Sequence, residues 1–302
     1  MSEQVPQGLL ATEVSYSSFR ISSFLRASSF VIRHFPSVIP LAGPRLFGFI
    51  FGMANTQLTF YGHAAFKLVT PAGNVLLIDP WLTNPSFDKG NDELAALKRV
   101  DLILLSHGHG DHVGNAVEIG KRTGAKLVST YDLAEAMKLA LGYPAEQADN
   151  DTTGAFGGQL TLLDGDAMVC FVPAWHGSGV AKDEISPPVY AGNPSGLVIS
   201  IRNGPTLYHT GDTAFFSDIA RVADYNRIDV MLVCIGDHFT MGPIRAADAV
   251  KAVNPRNVVP IHYGTFPVLT GTPEEFEREL KKREVKAQLR VMKPGETISL
   301  PD

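Results

Sequence analysis

From Gln57 onward the chain alternates short apolar runs with polar punctuation rich in Gly, Pro, Asn and Asp. Gln57 to Tyr61, Phe66 to Thr70 and Val75 to Asp79 are β-rich runs, and Pro71-Ala-Gly-Asn74 carries the residues of a tight turn between the last two. A β-meander is therefore expected to open the folded part. Asp101 to Leu105 is a continuous apolar strand, Val113 to Arg122 a helix, Lys126 to Ser129 a strand and Leu133 to Leu141 a helix.

The second half repeats the logic. Gln159 to Leu163 and Met168 to Pro173 have strand character, and Leu197 to Ile201 joins Thr206 to Thr210 through an Asn203-Gly204 hairpin turn. Phe215 to Ala223 reads as a helix, Val230 to Ile235 as a strand, Ile244 to Val253 as a helix and Asn257 to Ile261 as a strand. Thr272, Pro273 and Glu275 form a capping-box start for a helix whose charged Glu274 to Lys286 run is a solvated face. Two β-rich halves with helices imply an α/β (α+β) protein, its sheets packed face to face with helices outside.

Residues 1 to 52 break this pattern. They are rich in Ser, Phe and Arg (Arg20, Arg26, Arg33, Arg45) and carry no acid after Glu13, a composition resembling a transit peptide. The preferred reading is an N-terminal extension, poorly ordered or targeting-like, ahead of one compact domain over 53–302 that starts at Met53. An amphipathic surface helix around Phe19 to Phe35 is the third option.

A chain of 302 residues, 45% hydrophobic, can bury a sizeable core. The net charge of −5 and the lack of a Lys/Arg cluster give no electrostatic footprint for nucleic acid, so a small-molecule substrate is expected. No stretch reaches the roughly 18 apolar residues of a membrane helix. Cys170 and Cys234 lie in apolar strands outside any CxxC pair. They read as reduced core thiols of a cytoplasmic protein, organellar targeting being the alternative and a homo-oligomer compatible.

The strongest chemical signal follows the strand at Asp101: Ser-His-Gly-His-Gly-Asp-His, ending at His112. Three imidazoles and a carboxylate (His107, His109, Asp111, His112) would resist desolvation together unless a cation gathers their lone pairs. The two glycines are expected to let the backbone turn tightly so that the ligands converge. Further candidates stand past other apolar runs: His176 in Pro-Ala-Trp-His-Gly-Ser, Asp212 in His-Thr-Gly-Asp-Thr and His262 in Pro-Ile-His-Tyr-Gly. Singly, each is equally well a satisfied strand-end His or a turn-capping Asp.

Taken in order, these elements resemble the metallo-β-lactamase superfamily signature across residues 57 to 299. Gly62-His63-Ala-Ala-Phe66, Leu77-Ile-Asp-Pro-Trp81 and Gly236-Asp-His-Phe-Thr-Met-Gly-Pro243 are similar to a branch of metal-dependent hydrolases related to ascorbate-phosphate lactonase. The resemblance implies a four-layer αββα sandwich with a binuclear site. It implies one ion on His107, His109 and His176, another on Asp111, His112 and His262, and Asp212 between them. His109 stands where flavodiiron proteins have a carboxylate, which disfavours oxygen reduction. Asp212 stands where zinc β-lactamases have Cys, which disfavours antibiotic hydrolysis.

Two divalent ions about 3.5 to 4 Å apart hold a bridging hydroxide, a nucleophile for esters, lactones, amides and phosphoesters alike. Zinc suits the imidazole-rich set, with Mn2+ or Fe2+ as alternatives. Asp79 in Leu-Leu-Ile-Asp-Pro either orients a ligand imidazole or caps a turn. His63 and His238 are the candidates for a cleft-lining general acid, each equally well structural. His209 reads as structural, and the Gly179 to Gly196 stretch beside His176 as a lid or an inert connector. The rival readings are a phosphodiesterase or nuclease of the same fold, which lacks its usual basic exosite here, and a non-catalytic metal-binding sensor.

Overall fold

The computed structural model describes residues 55–183 and 185–300. The expectations for residues 1–52 lie outside the described residues. Six strands form one side of the molecule: β1 (Thr56–Phe60), β2 (Phe66–Val69), β3 (Val75–Ile78), β4 (Leu102–Leu104), β5 (Lys126–Thr130) and β6 (Thr153–Gly154). The other side takes β7 (Gln159–Leu162), β8 (Ala167–Pro173), β11 (Ser195–Ile201), β12 (Thr206–His209), β13 (Val230–Cys234), β14 (Asn257–Ile261) and β15 (Gln288–Leu289). Between β8 and β11 a small hairpin is made by β9 (Gly179–Val180) and β10 (Val189–Tyr190). The last strand, β16 (Thr297–Leu300), returns to the first sheet and pairs antiparallel with β1, Thr56 opposite Leu300.

The strand orders are β16-β1-β2-β3-β4-β5-β6 and β15-β14-β13-β12-β11-β8-β7. Each sheet opens as an antiparallel meander and continues in parallel, from β3 to β6 and from β12 to β15. The parallel strands read as continuous apolar runs because both of their faces are buried. Leu76, Ile78, Leu102, Leu104 and Val128 face inward with Val169, Phe171, Leu197 and Leu232 of the second sheet. The alternate residues Leu77, Ile103, Leu105 and Leu127 face a separate cluster with Leu94, Ile119, Leu133 and Met137. That second cluster is filled from α1 (Gly90–Ala96), α3 (Ala116–Thr123) and α4 (Tyr131–Ala136), with the short α2 (Gly110–Val113) carrying Asp111 and His112. On the other side, α5 (Val222–Tyr225), α6 (Pro243–Val253) and α7 (Pro273–Lys282) pack Val222, Ala246, Val250, Phe276 and Leu280 against the second sheet. The result is the four-layer αββα sandwich.

Several expectations shift. The helix expected over Val113 to Arg122 is split, because Gly114 sits at φ 40° with its missing Cβ only 2.4 Å from the Trp81 Cα. The helix to Leu141 ends in a π turn over Met137–Leu141, and that over Phe215 to Ala223 is a 3-10 segment, Ser217–Arg221, running into α5. The helix at Thr272 begins as expected, the Thr272 hydroxyl accepting the Glu275 N–H at 3.2 Å, yet it stops at Lys282. Cys234 is a core thiol, but Cys170 is a correction: β8 buries Val169 and Phe171 and turns Cys170 and Met168 to a partly open face. Helix α1 was not anticipated, and its signal is the acidic first turn at Asp92 and Glu93. Among the described residues no helix is long and apolar enough to cross a membrane.

Candidate metal centre

Each candidate residue arrives from the end of a strand. His107 and His109 follow β4, Asp111 and His112 ride on α2, and His176, Asp212 and His262 follow β8, β12 and β14. Gly108 has a different reason from the one expected, and at Gly110 a Cβ would meet nothing within 4 Å. Neither Gly108 nor Gly110 takes a positive φ. A Cβ at Gly108 would lie 2.9 Å from Val180 Cγ2 and 3.0 Å from the Gly179 carbonyl carbon, so this glycine admits the β9–β10 hairpin against the loop. The stretch expected as lid or connector is thus packed onto the metal loop through buried Val180 and Ala191.

Ligand-type atoms gather in three overlapping groups: His107, His109 and His176; His63, Asp111, His112 and His262; and His107, His112 and Asp212. The Asp212 Oδ2 atom lies 3.0 Å from His262 Nε2 and 3.5 Å from His176 Nε2, between the two sets. His109 Nδ1 is 3.0 Å from His107 Nε2 and 3.2 Å from His176 Nε2. His112 Nε2, both ring nitrogens of His262 and Asp212 Oδ1 are buried without a hydrogen-bond partner, although His112 Nε2 and Asp212 Oδ1 are 3.2 Å apart. Orphaned buried donors and acceptors at such spacing are costly unless they share a cation. An imidazole-rich set with carboxylates suits a divalent transition metal, so the residues present fit the group expected.

The chain fixes two of the tautomers. Buried Asp79 accepts the Ser106 N–H at 2.8 Å, the Ser106 hydroxyl at 2.6 Å and His112 Nδ1–H at 2.8 Å. With its proton given to Asp79, Ser106 Oγ accepts His107 Nδ1–H at 3.0 Å. With Nδ1 engaged, each imidazole turns its Nε2 inward, that of His112 toward Asp212 Oδ1 and that of His107 toward His109 Nδ1. Of the two readings open for Asp79, the orienting one is realised. His209 is structural as expected: its Nδ1 accepts the Gly211 N–H at 3.0 Å and its Nε2–H donates to the Ala64 carbonyl at 3.1 Å.

His63 is buried beside the second set. An ionised Asp111 only accepts, so His63 Nε2–H donates to its Oδ2 at 3.1 Å, leaving Nδ1 to accept the Thr265 hydroxyl at 2.9 Å. His238 is exposed on the loop after β13, edge-on to Phe239 at 4.4 Å, and belongs to none of the three groups. Ser106 and Thr265 escaped the sequence reading. Ser106 stood directly before the first ligand His, which was a usable signal; Thr265 had none.

Burial disfavours the charge on His63, outweighing Asp111, and takes its pKa down to about 4. Burial also holds His107 well below the usual range, helped by His112, and lowers His109 and His176. His112 and His262 go the other way. Burial opposes their protonation, but Asp212 and Asp79 raise His112, while Asp212 and Asp111 lift His262 to about 9. Asp111 and Asp212 are pulled well below the carboxylate range, their burial overcome by the same histidines.

Residues 74–263 match the model of the β-lactamase superfamily domain. A UPF0173 metal-dependent hydrolase of Thermodesulfovibrio yellowstonii is 54% identical over 246 residues, covering 81% of this chain and 92% of that protein. Another, of Anaeromyxobacter sp., is 52% identical over 247 residues, covering 81% and 87%. Among solved structures, Igni18, a metallo hydrolase from Ignicoccus hospitalis, superposes with a TM-score of 0.69 at 33% identity, over 82% of this chain and 100% of that one. With its strand-end histidines and aspartates gathered between two sheets, the chain belongs to the metallo-β-lactamase superfamily and, within it, to the metal-dependent hydrolases.

Proposed function

We propose that the chain holds two divalent ions, zinc by the chemistry of the donor set, and hydrolyses a small ester, lactone or phosphoester. The observation that carries this reading is Asp212 Oδ2, reached by His262 from one set and His176 from the other. His107, His109 and His176 would hold one ion, Asp111, His112 and His262 the second, with Asp212 shared. Bound there, divalent ions lower the pKa of water towards about 7 and polarise a carbonyl or phosphoryl oxygen.

The chain's own part is positioning. Asp79 and Ser106 engage Nδ1 of His112 and His107 and leave each Nε2 aimed inward as the atom an ion would take. Thr265 and His63 tether Asp111, and with both ring nitrogens engaged His63 is better suited to that task than to protonating a leaving group. His238, exposed and apart from the ligand groups, has no part in this reading.

Metal analysis joined to a panel of lactones, phosphodiesters, thioesters and amides tests the proposal on wild type and Asp212→Ala. The expected result is about two ions per wild-type chain and turnover of one substrate class, with at least one ion and about 100-fold in turnover lost in the variant. A wild type that holds two ions yet hydrolyses nothing the variant does not hydrolyse would favour a metal-binding sensor.

A further inference from the structure

Beside His176 a cleft of about 410 Å3 opens, within the roughly 300–1,000 Å3 of small-molecule pockets. Its walls come from four separate segments. Phe156 follows β6, Pro173 ends β8 and Trp175 follows it, Pro194 precedes β11, and Ala214 follows Asp212. No charged side chain lines it; His176 and Asn193 bring polar ends, and the rest of the lining is apolar.

Trp175 is 68% exposed and Phe156 38%, a large aromatic surface to leave in water next to a polar centre. The wall is built rather than loose. The Trp175 N–H donates to Thr213 Oγ1 at 2.9 Å and the Ala214 N–H to the Trp175 carbonyl at 3.0 Å. Its indole stacks on Phe216, ring centres 6.4 Å apart and planes 27° from parallel. Pro173 and Pro194 add fixed backbone. The same segment that presents His176 to the ligand group thus presents an aromatic face to whatever lies beside it.

We propose that this cleft is the substrate subsite, and that it takes an uncharged, apolar group of aryl size attached next to the scissile bond. Away from His176, the lining side chains offer an anionic group no cation to compensate its lost hydration. The inference rests on the hydrolase reading and narrows its substrate class to one with a hydrophobic arm on the His176 side. It also assigns Trp175 and Phe156 as specificity-determining residues.

The test uses the metal-loaded full chain and two readouts. Hydrolysis of methyl acetate, methyl phenylacetate, benzyl acetate and methyl para-carboxyphenylacetate is followed by pH-stat. Binding of phenylacetamide, against acetamide, is followed by saturation-transfer NMR, each on wild type, Trp175→Ala and Phe156→Ala. One ring-bearing neutral ester is expected to exceed methyl acetate at least ten-fold in kcat/KM. Trp175→Ala should abolish that preference and should weaken phenylacetamide binding at least five-fold. Equal turnover of all the esters, or preference for the para-carboxy ester, overturns the subsite and leaves the hydrolase reading standing. If no ester is hydrolysed but phenylacetamide binds and the Trp175 variant loses it, the subsite stands and ester hydrolysis falls. If phenylacetamide fails to bind, the subsite falls whatever the kinetics.

Discussion

Asp79 organises the centre without itself being a candidate ligand, since one carboxylate holds the backbone and hydroxyl of Ser106 and the Nδ1–H of His112. Asp79→Ala should therefore weaken metal affinity by about 10–100-fold in chelator competition. It should also cost about 2–4 kcal/mol in urea unfolding, because it strands buried donors; unchanged affinity would mean that His112 is oriented by something else. The tether on Asp111 makes a separate claim. His63→Ala should lower metal affinity, while His63→Gln, whose amide N–H can reach the same carboxylate, should recover part of it; equal loss in both would refute the tethering role. The candidates from His107 to His112 were legible in sequence because a histidine cluster at a strand end is chemically conspicuous, whereas His176, Asp212 and His262 joined them only through the resemblance. Ser106 and Thr265 were not, because a hydroxyl's partner depends on which strand end lies opposite.

At the scale of elements, the centre exists because the ends of β4, β12 and the start of β11 meet at a point with no room to spare. Gly211 sits there at φ 58°, its missing Cβ 2.8 Å from the Ser195 carbonyl oxygen and 2.9 Å from Ser106 Cβ. Ser195 in turn donates its N–H to the Ser106 carbonyl at 2.9 Å. Gly211→Ala should cost about 2–5 kcal/mol, the sum of a left-handed backbone and an overpacked contact, read as a lower urea midpoint. Because Asp212 is the next residue, metal content should fall with it. The strands at 75–79, 197–201 and 257–261 were readable from their apolar runs to within a residue or two. The helix at 113–122 was not, because its break at Gly114 is imposed by Trp81, a contact between segments far apart in sequence. The same holds for Gly108, whose small size serves the hairpin packed against it and not a turn.

For the whole molecule, protons and metal compete for one set of atoms. In the metal-free protein His262 titrates at about 9 and His112 is raised above the usual range, so at neutral pH both hold protons that an ion must displace. Metal affinity should therefore rise with pH, about ten-fold per unit for each proton displaced, and less steeply above about 9, where His262 has given up its proton. Calorimetry in buffers of different ionisation enthalpy should read one to two protons released per chain; none released would contradict the shifted histidines. We also propose that a chain beginning at Met53 folds and binds metal as the full chain does, because β1 already has both neighbours, β2 and β16, within the described residues; failure to fold would show that the first 52 residues complete the core. Sequence alone determined two β-rich halves with helices outside and the cluster from His107 to His112, because apolar periodicity and clustered imidazoles are local properties of the chain. The αββα order and the grouping of His176, Asp212 and His262 with that cluster rested on the resemblance to the superfamily. Only the tertiary structure decided which hydroxyls and carboxylates orient those ligands, that His238 stands apart from them, and that an uncharged aromatic cleft flanks His176. Each of these depends on segments brought together across the two sheets, and the distances between them are set by packing.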